Sequence, residues 1–197
     1  MNDRQRLVKR AFDLVLAVTG LAISWPIIVV AVLAARQDTG ASGIFSQQRI
    51  GRYGRPFTIR KIRTMRAIEG PHVTAAGDRR ITPLGELLRR TKIDELPQLW
   101  NVLKGDMSFV GPRPDVPGYA DLLTGENRKV LDLRPGLTGP ATLKYRDEEI
   151  VLAAQADPVT YNDEVIWPDK VAINRAYQEN WSLVGDLIYI WRTVRGR

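Results

Sequence analysis

The sequence has no cysteine and a single histidine, His72. That excludes a disulfide framework, a thiolate metal centre and any histidine cluster. His72 lies in a Gly-Pro-His-Val-Thr stretch that reads as a loop, so it is taken as a solvated bystander. Internal repeats, low-complexity tracts and long linkers are also missing. Acidic residues are in deficit, 22 against 29 Lys and Arg, for a formal charge of +7. A surplus of that size calls for an anionic partner: nucleic acid, phospholipid headgroups or a nucleotide diphosphate. At 197 residues and 44% hydrophobic content, the chain is long enough for one compact domain with a small appendage and too short for two full domains.

Long apolar runs are limited to one, from Ala11 to Ala35. As a helix at ~1.5 Å per residue it would measure roughly 37 Å, more than the ~30 Å of a bilayer core. A plain transmembrane anchor and a cleaved signal peptide are two readings of it. Pro26 argues for a third, because it removes a backbone donor and presses its ring on the carbonyl of Ala22, while Ser24 can bond back toward Gly20. A bend there leaves two arms of ~22 and ~15 Å, neither of which crosses the core alone. Arg4, Arg6, Lys9 and Arg10 precede the run, and Arg36 and a further basic stretch follow it. Both ends therefore satisfy the positive-inside rule, whereas a single span would put one basic cluster on the wrong face. The expectation is a re-entrant helix–kink–helix hinged at Ser24 and Pro26.

The basic stretch runs from Arg49 to Arg66 with seven cations and no acid. Gly51 and Gly54 flank Arg52-Tyr53, and Pro56-Phe57-Thr58-Ile59-Arg60-Lys61-Ile62 follows, which predicts a small basic β-hairpin. It has neither an RNP-type aromatic platform nor a DNA-reading helix, so headgroups and a nucleotide suit it better than nucleic acid.

Residues 91–114 carry the densest chemistry. Leu96, Leu99, Trp100 and Leu103 recur at helical spacing, predicting a helix from about Glu95 to Lys104 that stops at Gly105, with Pro97 in its first turn. Asp94 then stands at or beside the N-cap, where a phosphate would also be welcome. As a lone Asp it would be read as a helix cap. Glu95 adds a second carboxylate, however, and Arg89, Arg90, Lys92 and Arg113 crowd the flanks, a combination that suits a divalent cation with a polyphosphate.

Elsewhere Thr82-Pro83 starts a helix with Leu84, Leu87, Leu88 and Thr91 on one face. Near the C-terminus Val184, Leu187, Ile188, Trp191 and Val194 follow helical spacing; a core helix and a membrane-surface helix both fit, with Trp181, Tyr189 and Trp191 favouring the interface. Residues 144–170 are acid-rich with a break at Trp167-Pro168, and read as a solvated helical hairpin or loop over the active site. The fold class is α+β and mostly helical: a membrane hairpin, a basic β-hairpin and amphipathic interface helices.

Three blocks, Asp94-Glu95-Leu96-Pro97-Gln98-Leu99, Asn101-Val102-Leu103-Lys104-Gly105-Asp106-Met107-Ser108 and Val110-Gly111-Pro112-Arg113-Pro114, closely resemble the signature of the bacterial sugar transferase family, small monotopic phosphoglycosyl transferases that start glycan assembly on a membrane lipid. Gln48-Arg49-Ile50-Gly51, Lys61-Ile62-Arg63-Thr64-Met65 and Pro135-Gly136-Leu137-Thr138-Gly139 extend the resemblance over nearly the whole chain. It implies transfer of a sugar-1-phosphate from a UDP-sugar to polyprenyl (undecaprenyl) phosphate, with release of UMP. Asp94 would be the nucleophile, and Asp94 with Glu95 would hold Mg²⁺. Lys61, Arg63, Arg89 and Arg113 would contact substrate phosphates, and Arg146 the nucleotide side. The family's kinked helix usually has Ser immediately before Pro, whereas Trp25 intervenes here. Residues 1–35 would be the re-entrant hairpin and 36–197 a catalytic domain on the cytoplasmic face of the bacterial inner membrane, touching phospholipid and no nucleic acid; a homodimer is compatible with this. Of two rivals, a non-catalytic membrane-anchored basic module binding anionic lipid or nucleic acid gives no reason for paired carboxylates beside a fixed arginine. A Mg-dependent phosphatase would ordinarily carry an Asp-x-Asp pattern, which this site lacks.

Overall fold

A computed structural model describes residues 1–66 and 79–196; His72 and its loop lie outside the described residues. Most of the described chain is helical. Helix α1 spans Asp3–Thr39 as one element with Pro26 inside it, and it is long and apolar enough to cross a membrane. Strands β1 (Ile44–Ile50) and β2 (Pro56–Ile62) form a two-stranded sheet. Between them Tyr53 and Gly54 take positive φ, 61° and 76°, and the Gly51 N–H closes the turn on the Arg55 carbonyl at 2.9 Å. The chain divides into two compact units: Met1–Asp13 with Gln48–Phe57 and Gly105–Arg197, and Leu14–Gln47 with Thr58–Lys104.

The second of these units contains the apolar part of α1, helix α2 (Pro83–Arg90) and helix α3 (Gln98–Lys104). Thr82 caps α2 as its sequence predicts: Oγ1 accepts the Gly85 N–H at 2.9 Å, and Pro83 occupies the first turn, where its missing donor costs nothing. Of the face read from spacing, Leu88 is buried while Leu87 is exposed. Ala31 and Ala35 of α1 pack with Ile62 and Leu88, flanked by Val32, Leu84 and Ile93. Gly85 lets α2 approach this strand end, since a Cβ there would fall on the Thr64 carbonyl. Ser24 is buried, and its Oγ has no hydrogen-bond partner among the described residues, so the bond back toward Gly20 does not form. Around it Ile23, Trp25, Ile27, Val30 and Leu33 stand exposed.

The other unit has a parallel pair at its centre, β3 (Ser108–Val110) and β4 (Gly136–Thr138), in register Ser108↔Gly136 and Val110↔Thr138. Two of the quoted sequence blocks meet here: a Cβ on Gly111 would fall on the Arg134 carbonyl, and one on Gly139 on the Gly111 carbonyl. Helices α4 (Pro140–Lys144), α5 (Glu148–Ala153), α6 (Pro158–Tyr161), α7 (Trp167–Glu179) and α8 (Leu183–Val194) follow. Trp167-Pro168 is not a break. A π-helical stretch, Asn162–Ile166, leads straight into α7, and Pro168 sits in the first turn of that helix, where proline is tolerated.

Val110, Leu133, Tyr177 and Trp181 form the core of this unit. Buried inside it, Asp186 Oδ2 accepts from Lys9 Nζ at 2.6 Å and from Trp181 Nε1 at 3.0 Å, and its Oδ1 accepts from Tyr177 OH at 2.6 Å. Asp13 Oδ1 accepts from Ser108 Oγ and the Phe109 N–H, both at 3.0 Å. A buried carboxylate with that many donors is tolerable where a bare one would not be. Trp181 is therefore a core residue, not the interface residue its composition suggested, because its indole N–H is consumed by Asp186. The apolar stripe of α8 differs: Val184, Leu187, Ile188, Trp191 and Val194 are 45–82% exposed, so it is not the face of a core helix.

Candidate active site

Helix α2 ends at Arg90 with Thr91 as its C-cap, and Lys92 then takes a left-handed turn, φ 59°. That turn throws the chain into a short 3₁₀ segment, Ile93–Glu95, with Asp94 at its middle. Glu95 N–H bonds to the Lys92 carbonyl and Leu96 N–H to that of Ile93, each at 3.2 Å. The predicted start of α3 at Glu95 is thus corrected to Gln98: the 3₁₀ bonds spend the local donors, and Pro97 has none to give. Asp94 is not the cap of α3. Leu99 and Val102 bury the inner face of that helix, while Trp100 is exposed.

Asp94 is 7% exposed, and its Oδ1 is buried with no hydrogen-bond partner among the described residues. Burial pushes its carboxyl pKa up, and the charge of Glu95 pushes it further; Lys61, Lys92 and Arg89 pull it the other way. Lys61, projecting from β2, donates Nζ to Glu95 Oε1 at 2.8 Å in a half-buried ion pair. Arg89 on α2 is held by its Nε, which donates to Thr64 Oγ1 at 2.8 Å. Structure thus brings together five residues singled out from sequence, Asp94, Glu95, Lys61, Arg89 and Lys92, the last with a backbone angle that no sequence pattern announces, and adds Thr64, which stands inside the Lys61–Met65 block.

Arg63 is engaged elsewhere, its Nε donating to the Ser42 carbonyl at 2.6 Å. Arg113 and Arg146 belong to the other unit. Arg113 is exposed, and its charge bears on Arg49 and Asp115. Burial pushes the Asp115 carboxyl up to about 6, outweighing the opposite pull of Lys170, Arg113 and Arg49. Arg146 is exposed and donates Nη1 to the Gly196 carbonyl.

Chemically, the buried oxygen of Asp94 is an acceptor without a donor, a costly state unless a cation or electrophile completes it. Among the described residues no three His, Asp or Glu side chains gather as a metal-binding cluster. An ion that needs only one or two carboxylates and takes its other ligands from water and substrate phosphates still suits the hard oxygens of Asp94 and Glu95.

Comparison with known proteins places this geometry in context. Residues 4–196 match the family model described as bacterial sugar transferase. A Caulobacter vibrioides protein named UDP-glucose:undecaprenyl-phosphate glucose-1-phosphate transferase is 39% identical over 197 residues, covering 95% of this chain and 68% of the relative. The Bacillus subtilis protein named uncharacterized sugar transferase EpsL is 36% identical over 190 residues, covering 96% and 86%. The Salmonella typhimurium undecaprenyl-phosphate galactose phosphotransferase is 31% identical over 208 residues, covering 96% of this chain and 40% of its own length. With a match of that extent, the chain belongs to the bacterial sugar transferase family.

Proposed function

We propose that this chain moves a sugar-1-phosphate from a UDP-sugar to undecaprenyl phosphate, releasing UMP, through a covalent intermediate on Asp94. The observation that carries the reading is the buried Oδ1 of Asp94, set among cations and without a hydrogen-bond partner among the described residues. The names of two relatives supply the reaction class, a sugar-phosphate transfer to undecaprenyl phosphate.

Ionised Asp94 attacks the β-phosphorus of the donor. An O–P bond forms to the carboxylate, the P–O bond to the nucleotide breaks, and UMP leaves with the electron pair. A phosphate oxygen of the lipid then attacks the same phosphorus, the acyl phosphate bond breaks, and Asp94 is restored as a carboxylate. Lys61 and Arg89 offset the charge of the transferring group, and Arg89 does so from a fixed orientation because Thr64 holds its Nε. Lys61 also holds Glu95 in place. Mg²⁺, when held by Asp94 and Glu95, would neutralise the diphosphate and favour the leaving group. Arg63, Arg113 and Arg146 carry no step in this scheme.

Helix α1 completes the reading: its exposed apolar surface enters the inner membrane from the cytoplasmic face and returns at Pro26, so that a buried lipid phosphate and a soluble nucleotide meet one site. The test is to incubate purified protein with labelled UDP-sugar, Mg²⁺ and undecaprenyl phosphate and to look for lipid-linked sugar phosphate and UMP. The proposal expects both products from the native chain and neither from Asp94→Asn; no lipid-linked product with any UDP-sugar would defeat it.

A further inference from the structure

The transfer chemistry leaves unused a cleft in the unit built from Met1–Asp13, Gln48–Phe57 and Gly105–Arg197. It is shallow and open to solvent, and Arg6, Lys9, Arg52 and Arg134 line it together with Asp13 and Asp132. Part of the hydrogen-bonding capacity here is already committed. Lys9 and Asp186 neutralise each other at 2.6 Å, and the Asp13 carboxylate is taken by Ser108 and the Phe109 N–H. Asp132 Oδ2 accepts from Gln178 Nε2 at 3.5 Å.

Among the described residues Arg6, Arg52 and Arg134 form no ion pair. Arg52 is pinned by Nε, which donates to the Asp132 carbonyl at 2.8 Å, and Arg134 by Nε, which donates to the Gly105 carbonyl at 2.8 Å. Neutral carbonyls fix the planes of both guanidinium groups and leave their charges uncancelled. Burial lowers the pKa of each; for Arg52 the neighbouring Tyr53 pulls upward and Arg134 and Arg6 push it down again, with Asp132 pulling up, and for Arg134 the charge of Arg10 lowers it against Asp13 and Tyr53. With Lys9 neutralised by Asp186, the three arginines outnumber the carboxylates of Asp13 and Asp132, so the cleft keeps a surplus of positive charge that an anion would complete, and guanidinium forks match phosphate oxygens.

The geometry points to a binding site for the phosphodiester headgroup of an anionic phospholipid, formed by Arg6, Arg52 and Arg134. Lipid is the source favoured by position: Arg6, Lys9 and Asp13 share one face of α1, and the apolar run of that helix begins at Ala11, so the cleft adjoins the place where α1 meets the headgroups. This rests on the membrane reading of α1 and not on the chemistry at Asp94. The site would fix how deep and at what rotation α1 sits, beyond what diffuse attraction to a charged surface supplies.

The full chain, purified in a neutral detergent, would be titrated by calorimetry with short-chain phosphatidylglycerol, with short-chain phosphatidylcholine and with inorganic phosphate. Arg6→Gln is the cleanest variant because Arg6, unlike Arg52 and Arg134, anchors no carbonyl, so its melting temperature should match the parent. Arg4→Gln removes the same charge from an exposed position of α1 that does not line the cleft. The site predicts binding of phosphatidylglycerol well above phosphatidylcholine, a loss of about tenfold in Arg6→Gln, as for a charge-assisted hydrogen bond, and less than about twofold in Arg4→Gln. Equal losses in the two variants would overturn the site. Inorganic phosphate binding as tightly as phosphatidylglycerol, and equally dependent on Arg6, would overturn the lipid as its occupant.

Discussion

A carboxylate raised in pKa by burial is a stability cost, and in the role proposed for Asp94 the same group would be the nucleophile. Its ionised form is the one disfavoured by the fold, so the cost is absent below the unfolded value and grows as pH rises through the raised folded one. Asp94→Asn should accordingly hold or slightly raise the melting temperature at pH 8, lose that gain in acid, and cut turnover by about 10³-fold or more. A fall in stability with turnover intact would return Asp94 to a structural role. Asp115 permits a parallel test without catalysis. Its carboxyl is pushed from 3.8 to about 6, so Asp115→Asn should stabilise the chain by on the order of 2 kcal/mol above pH 7, the difference closing as pH falls from 6 towards 4. Thermal melts across that range measure it; an unchanged difference at pH 4 and pH 8 would mean that the carboxylate is better solvated than its burial implies.

Among elements, legibility followed the range of the interactions that form them. Helix α2 could be read outright because its start depends on Thr82 and Pro83, adjacent in sequence, and the cap forms to Gly85 three residues on. Thr82→Ala should therefore cost about 1 kcal/mol in chemical denaturation; no loss would show that Pro83 alone sets the start. The helix after Asp94 was legible in register but not at its beginning, since the left-handed Lys92 and the 3₁₀ bonds compete with capping in a way that no apolar spacing records. Trp181 was misplaced for a related reason. What decides its burial is Asp186, whose other donors, Lys9 and Tyr177, include one 177 residues away in sequence. Asp94, Glu95, Lys61 and Arg89 could be found from sequence because charge of both signs is concentrated in two short segments; which side chain each cation grips depends on tertiary contacts such as Arg89 with Thr64.

For the whole molecule, topology and chemistry are separable. With no native cysteine, a cysteine placed at Asn2 or Gly40 gives a unique label. If α1 enters and returns, both resist a membrane-impermeant thiol reagent outside intact cells. Pro26→Leu restores a backbone donor and relieves a strain of about 3 kcal/mol, favouring a straight span, so one of the two positions should become reactive and activity should fall. Opposite-side labelling in the native chain would remove the re-entrant arrangement and leave the reaction untouched. The central claim is that Asp94 bonds covalently to the transferring phosphosugar, and it is most directly tested by a single-turnover reaction with labelled UDP-sugar and Mg²⁺ in the absence of lipid phosphate. The account predicts UMP release approaching one equivalent per chain, a phosphosugar adduct on the peptide containing Asp94, and neither in Asp94→Asn. UMP appearing only after undecaprenyl phosphate is added, with no adduct trapped, would contradict it and establish direct transfer between the two substrates.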